Sequence, residues 1–103
     1  PLSVVRRQIT SAIDLIVQIA RLRDGSRKVT KITEVQGMEG DTVLLQDIFQ
    51  FVEEGERDGK VIGQMEPCGI RPRFEHRLKS HGFEFDVSMF LKEMPGGLGQ
   101  WQR

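Results

Sequence analysis

Apolar residues near the start of the chain recur every three or four positions, which is the spacing of one face of an α-helix. Polar side chains fill the other side of this segment, at Arg6, Arg7, Gln8 and Thr10. The pattern predicts an N-terminal helix that packs its apolar stripe into the core, with the Ser3 hydroxyl as N-cap. The stripe consists of Leu2, Val5, Ile9, Ala12 and Ile13.

From Leu15 the apolar period shortens to two, which is typical of a β-strand. Leu15–Arg23 is predicted to be a strand with one wholly apolar face, and Asp24–Gly25 then predicts a hairpin with a tight primed turn, because Gly adopts positive φ without strain. The return strand, Val29–Val35, alternates imperfectly, which predicts a β-bulge. The apolar face of the first strand consists of Leu15, Val17 and Ile19.

The segment Thr42–Val52 has the clearest alternation in the chain and is predicted to be the third strand. Gly37 and Gly40 bracket the turn before it, and residues 53–59, "EEGERDG", are predicted to be a polar loop leading to a short strand, Lys60–Glu66. These segments predict an antiparallel meander of about four strands. One face of the third strand carries Val43, Leu45, Phe49 and Phe51, and the other carries Gln46 and Gln50.

A second helix is predicted after the strands. Pro72 suits its first turn, Glu75 and Lys79 have the i,i+4 spacing of an ion pair, and Gly82 is expected to end it. Asp86 could cap a short last turn. The predicted buried stripe of this helix consists of Ile70, Phe74 and Leu78.

The predicted fold class is therefore α+β, with an N-terminal helix, an antiparallel hairpin or meander of about four strands, and a C-terminal helix. Residues 1–94 are predicted to form one domain. Residues 95–103, which include Trp101, are rich in glycine and are expected to be a flexible tail.

Composition narrows the possible classes of function. The chain has 103 residues, 38% of them hydrophobic, with 15 basic and 15 acidic residues and a formal net charge of +0. This balance argues against a dedicated nucleic-acid binder. The single Cys68, the lack of a signal peptide and the lack of a long apolar run favour a cytoplasmic location. Because the first residue is proline, we expect the chain to be an excised piece of a longer protein.

Motifs for catalysis and for metal binding are missing from the sequence. The one Gly-Lys pair, Gly59–Lys60, is followed by Val61, so the chain lacks the lysine and hydroxyl of a phosphate-binding P-loop. His76 and His81 are five residues apart and do not share a helix face as metal ligands would. We therefore expect no catalytic residue, no metal site and no cofactor in this chain, and we interpret both histidines as helix-surface residues.

The one candidate site is the basic end of the predicted first hairpin. Arg21 and Arg23 would share a face of the strand, so two guanidiniums could meet a phosphate or an acidic neighbour. The alternative is a solvated hairpin end whose charge is partly offset by Asp24 and Glu34. The candidate subunit-interface or phosphate-proximal residues are Arg21, Arg23, Arg27 and Lys28, with Lys31 beside them.

A long part of the sequence resembles a known family. The resemblance is carried by the segments "LIVQIARLRDGSRKVT", "ITEV-x-GMEGD" and "LQDIF-x-F", with "R-x-Q-I" before them and "GIRPRF" after them. They resemble the C-terminal part of the CpaF/TadA-type ATPases of Flp (tight-adherence) pilus assembly, in the type II/type IV secretion ATPase superfamily. The resemblance runs to about Leu91. The terminal "GGLGQWQR" has no recognised counterpart.

The resemblance implies a RecA-like ATPase that forms a hexameric ring beneath an inner-membrane platform protein and uses ATP and magnesium. The Walker A, Walker B and His boxes of the family all precede the matching segment, so no catalytic residue of the family can be placed in this chain. The resemblance also implies that the "RLRDGSRKVT" hairpin lies at the edge of the RecA-like core, with its arginines near a subunit boundary.

Three hypotheses follow. The leading one is a non-catalytic C-terminal segment of such an ATPase, which scaffolds the motor ring and can self-associate when isolated. The second is a small binding module whose basic hairpin contacts an anionic partner such as nucleic acid or anionic lipid, although no nucleic-acid partner is expected from the charge balance. The third, a self-contained small enzyme, lacks a nucleophile–base pair and a metal set.

Overall fold

The computed structural model describes residues 1–92. The predicted flexible tail, 95–103, lies outside these residues. The fold is α+β, with an N-terminal helix and an antiparallel four-stranded sheet in the order β1-β2-β3-β4, so the predicted meander is confirmed. The elements are α1 (Leu2–Ala12), β1 (Leu15–Arg21), β2 (Arg27–Glu39), β3 (Thr42–Arg57), β4 (Lys60–Pro67), α2 (Phe74–Ser80) and a 3₁₀ helix (Val87–Phe90).

The third strand is longer than its sequence pattern predicted. The segment "EEGERDG" was predicted to be a loop, but β3 continues through Arg57 and only Asp58 and Gly59 form the turn. Both turn residues have positive φ, 54° and 78°, as a two-residue hairpin turn requires. Gly55 lies in an irregularity of the β3–β4 register, so this glycine marks a bulge and not the end of the strand.

The second strand is irregular, as predicted, but its turn is shorter. Thr30 is skipped in the pairing with β1, which confirms the predicted bulge in the return strand. Gly37 was predicted to bracket the turn, yet it lies inside β2 with φ of 120°, where the register with β3 shifts. The β2–β3 connection is confined to Gly40 and Asp41.

The predicted uninterrupted alternation of β3 is also wrong. The register with β2 shifts around Ile48, which is an extra residue on β3. Ile48 is fully buried, whereas Leu45, assigned to the apolar face from the sequence, is 54% exposed. A bulge moves the side chains that follow it relative to those before it, so simple alternation fails to identify the core residue of this strand.

The core of the described residues is small and centres on an aromatic cluster. The buried apolar residues are Ile48, Val61 and Phe90. The Phe90 ring has its centroid 5.8–6.2 Å from the rings of Phe49, Phe74 and Phe85. Phe90 thus brings the sheet, α2 and the 3₁₀ helix together. The predicted cap of this last turn is confirmed, because the Asp86 carboxylate accepts a hydrogen bond from the Ser88 N–H.

A buried carboxylate from the sheet holds the start of α2. Glu34, on β2, is only 4% exposed. Its Oε1 accepts hydrogen bonds from the Arg73 N–H at 2.9 Å and from the Gln36 side-chain amide at 2.8 Å, and its Oε2 accepts from the Phe74 N–H at 2.8 Å. The Arg73 and Phe74 N–H groups lie at the helix start and have no acceptor within the helix, and the helix dipole also favours a negative charge there.

The C-terminal end of α2 follows the prediction. Gly82 has φ of 87°, its N–H donates to the Lys79 carbonyl, and the Phe83 N–H donates to the Leu78 carbonyl, both at 3.1 Å. This is the Schellman arrangement, in which a glycine ends the helix. The predicted Glu75–Lys79 ion pair is present at 3.4 Å.

Two predictions for the start of α2 were wrong. Pro72 lies two residues before the first helical residue, Phe74, and not in the first turn. Ile70 was predicted to be in the buried stripe but is 40% exposed, because it precedes the helix and does not share its face. Glu75 is the buried residue of α2, with its carboxylate paired to Arg71 as well as to Lys79. Arg71 lowers the pKa of Glu75 below its ordinary value.

The N-terminal helix forms where it was predicted, but its apolar stripe is not part of the core. No residue of α1 is buried, and Leu2 and Ile9 are 63% and 42% exposed. The predicted Ser3 cap is wrong too, since Pro1 occupies the N-cap position and no side chain caps the helix. The apolar period correctly identified the apolar side of α1, but within residues 1–92 no element buries that side.

We expect Glu34→Ala to destabilise the protein by about 2–4 kcal/mol, because it leaves two N–H groups at the start of α2 without their acceptor. Glu39→Ala, an exposed carboxylate at the end of the same strand, is the control and should change the free energy of unfolding by less than about 0.5 kcal/mol. Urea denaturation of the two variants would make the comparison. Equal losses would contradict the role given to Glu34.

Candidate functional site at the basic hairpin

The turn of the basic hairpin, residues 21–31, differs from the predicted two-residue turn. The Leu22 N–H donates to the Ser26 carbonyl at 2.7 Å, so the loop contains the three residues between them. The Gly25 N–H donates to the Leu22 carbonyl at 2.9 Å, and Gly25 alone in this loop has positive φ, 89°. This is the common three-residue hairpin, a turn followed by a glycine in the left-handed region.

Asp24 fastens this turn to the far edge of the sheet. Its Oδ1 accepts from the backbone N–H and the hydroxyl of Ser26 at 2.9 and 2.6 Å, and its Oδ2 accepts from the Val61 N–H of β4 at 2.7 Å. The Ser26 hydroxyl, followed by the Val61 and Ser26 N–H groups, lowers the pKa of Asp24 to about 2. The β1–β2 turn and the start of β4 therefore meet although β3 lies between β2 and β4.

Arg23 forms ion pairs with carboxylates of the same chain. It lies in the turn beyond the end of β1, so the prediction that it shares a strand face with Arg21 is wrong. Its Nε donates to Glu56 Oε2 at 2.6 Å and its Nη1 donates to Glu53 Oε2, both on β3. These carboxylates, Glu53 first, raise the pKa of Arg23 above its ordinary value.

Only one of the two carboxylates predicted to offset the basic charge does so: Asp24 lies in the turn and interacts with the charge of Lys28. Glu34 was expected to neutralise the hairpin but caps α2 instead. Glu53 and Glu56 were assigned to a solvated loop, and only the extension of β3 brings them beside Arg23. Residues three apart lie on opposite faces of a regular strand, so the spacing of Glu53 and Glu56 did not predict that both would contact Arg23. The bulge at Gly55 lies between them and changes this alternation.

The remaining candidates divide into two kinds. Lys31 pairs with Asp47 at 3.5 Å, and Lys28 lies opposite Ala20 and is half-buried. Arg21 and Arg27 lie directly opposite each other in the β1–β2 ladder, and both are exposed. Within residues 1–92, neither of these two arginines forms an ion pair.

Two directly opposed arginines favour an anionic group between them. Like charges at opposite positions of an antiparallel pair destabilise it, and an anion that accepts hydrogen bonds from both guanidiniums removes the repulsion. Arg21 and Arg27 thus form the part of the candidate site that is available to a ligand or a neighbouring protein, whereas Arg23 and Asp24 hold the turn. This arrangement can bind an anion but supplies no nucleophile or general base.

Among residues 1–92, the histidines and the cysteine do not join other potential ligands in a metal-binding cluster. His76 lies exposed on α2, as predicted, and His81 is the exposed C-cap residue, with Nδ1 2.8 Å from the Arg77 carbonyl oxygen. Within the part of the chain that the structure describes, no three potential metal ligands of the His, Cys, Asp and Glu types converge. Burial raises the pKa of the Cys68 thiol. None of the helices among residues 1–92 has the length and apolar character needed to cross a membrane.

Comparison with known proteins adds no assignment: no protein-family model matches the chain, and no curated protein sequence matches it significantly. The resemblance to the pilus-assembly ATPases stays a prediction from the motifs quoted above.

Asp24→Asn is expected to lower the stability of the protein at neutral pH and to flatten its acid dependence. The folded-state pKa of Asp24 is below its ordinary value of 3.8, so its contribution is fully present above pH 3.8 and is lost as the pH falls towards about 2. Melting temperatures of the two proteins between pH 2 and pH 7 should therefore converge at the acid end. Curves that stay parallel down to pH 2 would contradict the bonds assigned to Asp24.

Arg23→Ala and Arg21→Ala separate the structural arginine from the available one. Arg23→Ala should lower the melting temperature, because it leaves Glu53 and Glu56 side by side without their cation. Arg21→Ala should change the free energy of unfolding by no more than about 0.5 kcal/mol, as is usual for exposed residues, and can raise it by relieving the repulsion from Arg27. Thermal melts at low and high salt would test both, since the loss caused by Arg23→Ala and any gain caused by Arg21→Ala should both shrink as salt screens the charges. Equal effects of the two substitutions would refute the division.

Proposed function

We propose that this chain is the non-catalytic C-terminal part of a hexameric ATPase that powers Flp/tight-adherence pilus assembly or type II/IV secretion, in which it scaffolds the motor ring. In this proposal the segment belongs to a RecA-like ATPase domain whose ATP and magnesium are held by residues that precede it. The parent protein works in the cytoplasm, at the inner membrane, through a platform protein.

The observation that carries this proposal is the uncovered apolar stripe of α1. A helix with exposed leucine, valine and isoleucine along one side and no buried residue is unusual for a complete domain, and such patches mark surfaces that another protein part covers. The predicted RecA-like core would be that part. The small size of the core, with three buried aliphatic or aromatic residues among those described, agrees with a segment that depends on its neighbours.

The basic hairpin suits a place at a subunit boundary in this proposal. Asp24 holds the turn against β4 and Arg23 holds it against β3. Arg21 and Arg27 lie opposite each other, and within residues 1–92 neither forms an ion pair. A phosphate or a carboxylate of the adjacent subunit would complete this pair. The residues could then transmit movement between subunits without taking part in hydrolysis.

The alternative is a small binding module that uses the same hairpin to contact an anionic partner. The opposed pair Arg21 and Arg27 is the observation that favours it. Against nucleic acid as that partner stand the formal net charge of +0 and the neutralisation of Arg23 and Lys31 by carboxylates within the fold.

The experiment that tests the proposal uses the longer protein from which this segment would come. Its coding sequence upstream of the segment should encode a P-loop and a His box. In that protein, Arg21→Ala with Arg27→Ala should reduce ATP turnover, because the pair would lose its contact with the adjacent subunit and the ring could no longer couple its movements. Arg7→Ala, an exposed arginine on α1, is the matched control and should leave turnover unchanged. Full activity of the double variant would remove the role given to the hairpin.

The isolated chain provides the companion measurement. Millimolar Mg-ATP should leave its melting temperature unmoved and release no phosphate, because no P-loop lysine or magnesium-holding hydroxyl occurs in the sequence. A ligand at a hundred times its dissociation constant would add about 2.7 kcal/mol of stability, which a melt detects. A clear shift with ATP would contradict the proposal, and a shift with heparin alone would favour the binding-module alternative.

A further inference from the structure

The first strand of the sheet has an open edge. In the order β1-β2-β3-β4, β1 pairs with β2 alone, so its other edge lacks a partner among residues 1–92. Its apolar side chains are exposed on both faces, from 40% for Ile16 to 63% for Ile19. The strand contains no acidic residue, and its one charged residue, Arg21, is at its end. A seven-residue edge that is mostly apolar, has no extra residue of its own and lacks proline and lysine is a template for pairing with another strand.

The hydrogen bonds already made show which backbone groups face the open edge. The Asp14 carbonyl accepts from the Val35 N–H, and the Gln18 carbonyl accepts from the Thr30 hydroxyl, so both point towards β2. In an antiparallel ladder the N–H and C=O of alternate residues point to opposite sides. The outward groups therefore belong to Leu15, Val17, Ile19 and Arg21.

We propose that β1 pairs with β1 of a second copy of this chain, antiparallel and centred on Gln18, to form a continuous eight-stranded sheet. A two-fold axis at Gln18 places Val17 opposite Ile19 of the second copy, and Leu15 opposite Arg21 of the second copy. All four outward-facing residues then meet in hydrogen-bonded pairs. The inference concerns the chain by itself and does not rest on the proposed ATPase function.

The side chains of β1 are complementary to themselves in this register. Val17 and Ile19 form β-branched pairs across the axis, and the two Gln18 side chains lie side by side, where amides can hydrogen-bond. The two Arg21 side chains are at opposite ends of the paired strands, whereas parallel pairing would put them next to each other. A shift of one residue would set outward groups against inward ones, and a two-fold centred on Val17 would leave Arg21 opposite Ile13, outside the strand.

Disulfide trapping tests the register, in a Cys68→Ser background that removes the one native thiol. In the proposed pairing, the two Gln18 positions form a pair without backbone hydrogen bonds, with Cα atoms about 4.5 Å apart, within the range of a disulfide. Gln18→Cys should therefore give a covalent dimer on mild oxidation. Ile16→Cys alone should not, but mixed with Ala20→Cys it should cross-link, because these two positions lie opposite each other in the proposed register.

Light scattering tests the surface. The native chain, of 11.8 kDa, should have twice this mass at high concentration. Val17→Lys with Ile19→Lys should give a monomer with an unchanged circular dichroism spectrum, because both side chains are exposed in the single copy. Leu2→Lys, on the α1 stripe, is the control and should stay dimeric.

Three results would overturn the inference. A native chain that remains monomeric at high concentration would remove the pairing. A monomer caused by Leu2→Lys but not by the β1 lysines would assign self-association to α1 instead. Cross-linking of Ile16→Cys alone without cross-linking of Gln18→Cys would show a different register.

Discussion

The structure depends on one buried carboxylate, that of Glu34. An isolated seven-residue helix such as α2 is not stable in water, because its few internal bonds do not offset the cost of starting a helix. Glu34 supplies acceptors for the first free N–H groups of α2 and holds the helix against β2. It thereby places Phe74 next to Phe90, the residue on which the sheet, α2 and the 3₁₀ helix converge. A polar contact therefore sets the position of the apolar core.

Carboxylates play the same role at the other end of the sheet. Asp24 joins the first turn to β4, while Glu53 and Glu56 join it to β3 through Arg23. The formal net charge of +0 does not mean that basic and acidic groups are paired everywhere. The carboxylates near the hairpin bind Arg23 and Lys31, so the opposed Arg21 and Arg27 keep their charge exposed. Positive and negative charges are equal in number over the whole chain, but within the described residues neither Arg21 nor Arg27 has a carboxylate partner.

Local patterns predicted the elements, and contacts between distant residues decided the rest. The two-residue period, the glycine-containing turns and the Gly82 helix end could be recognised because each rests on neighbouring residues. The role of Glu34 could not, since its partners are about forty residues away. Arg21 and Arg27 could be named as candidates because they belong to the basic cluster beside the predicted turn at Asp24–Gly25. Arg23 is not available for binding, because β3 continues past Gly55 and brings two carboxylates to it. This continuation could not be predicted, because a polar, glycine-containing segment is typical of a loop.

The apolar edge of β1 ends at the arginine pair, because Arg21 is the last residue of β1 and Arg27 lies opposite it on β2. Arg21 is the last residue of β1, so a partner strand that follows this edge to its end comes up against Arg21 and its neighbour Arg27. An acidic group there would be stabilised by both guanidiniums, whereas a basic one would be repelled. The apolar side chains give such a surface most of its attraction, and the arginines select among partners by charge. The open edge of β1 thus combines apolar side chains, which attract partners without selection, with an arginine pair at its end, one arginine on β1 and one on β2, which selects by charge.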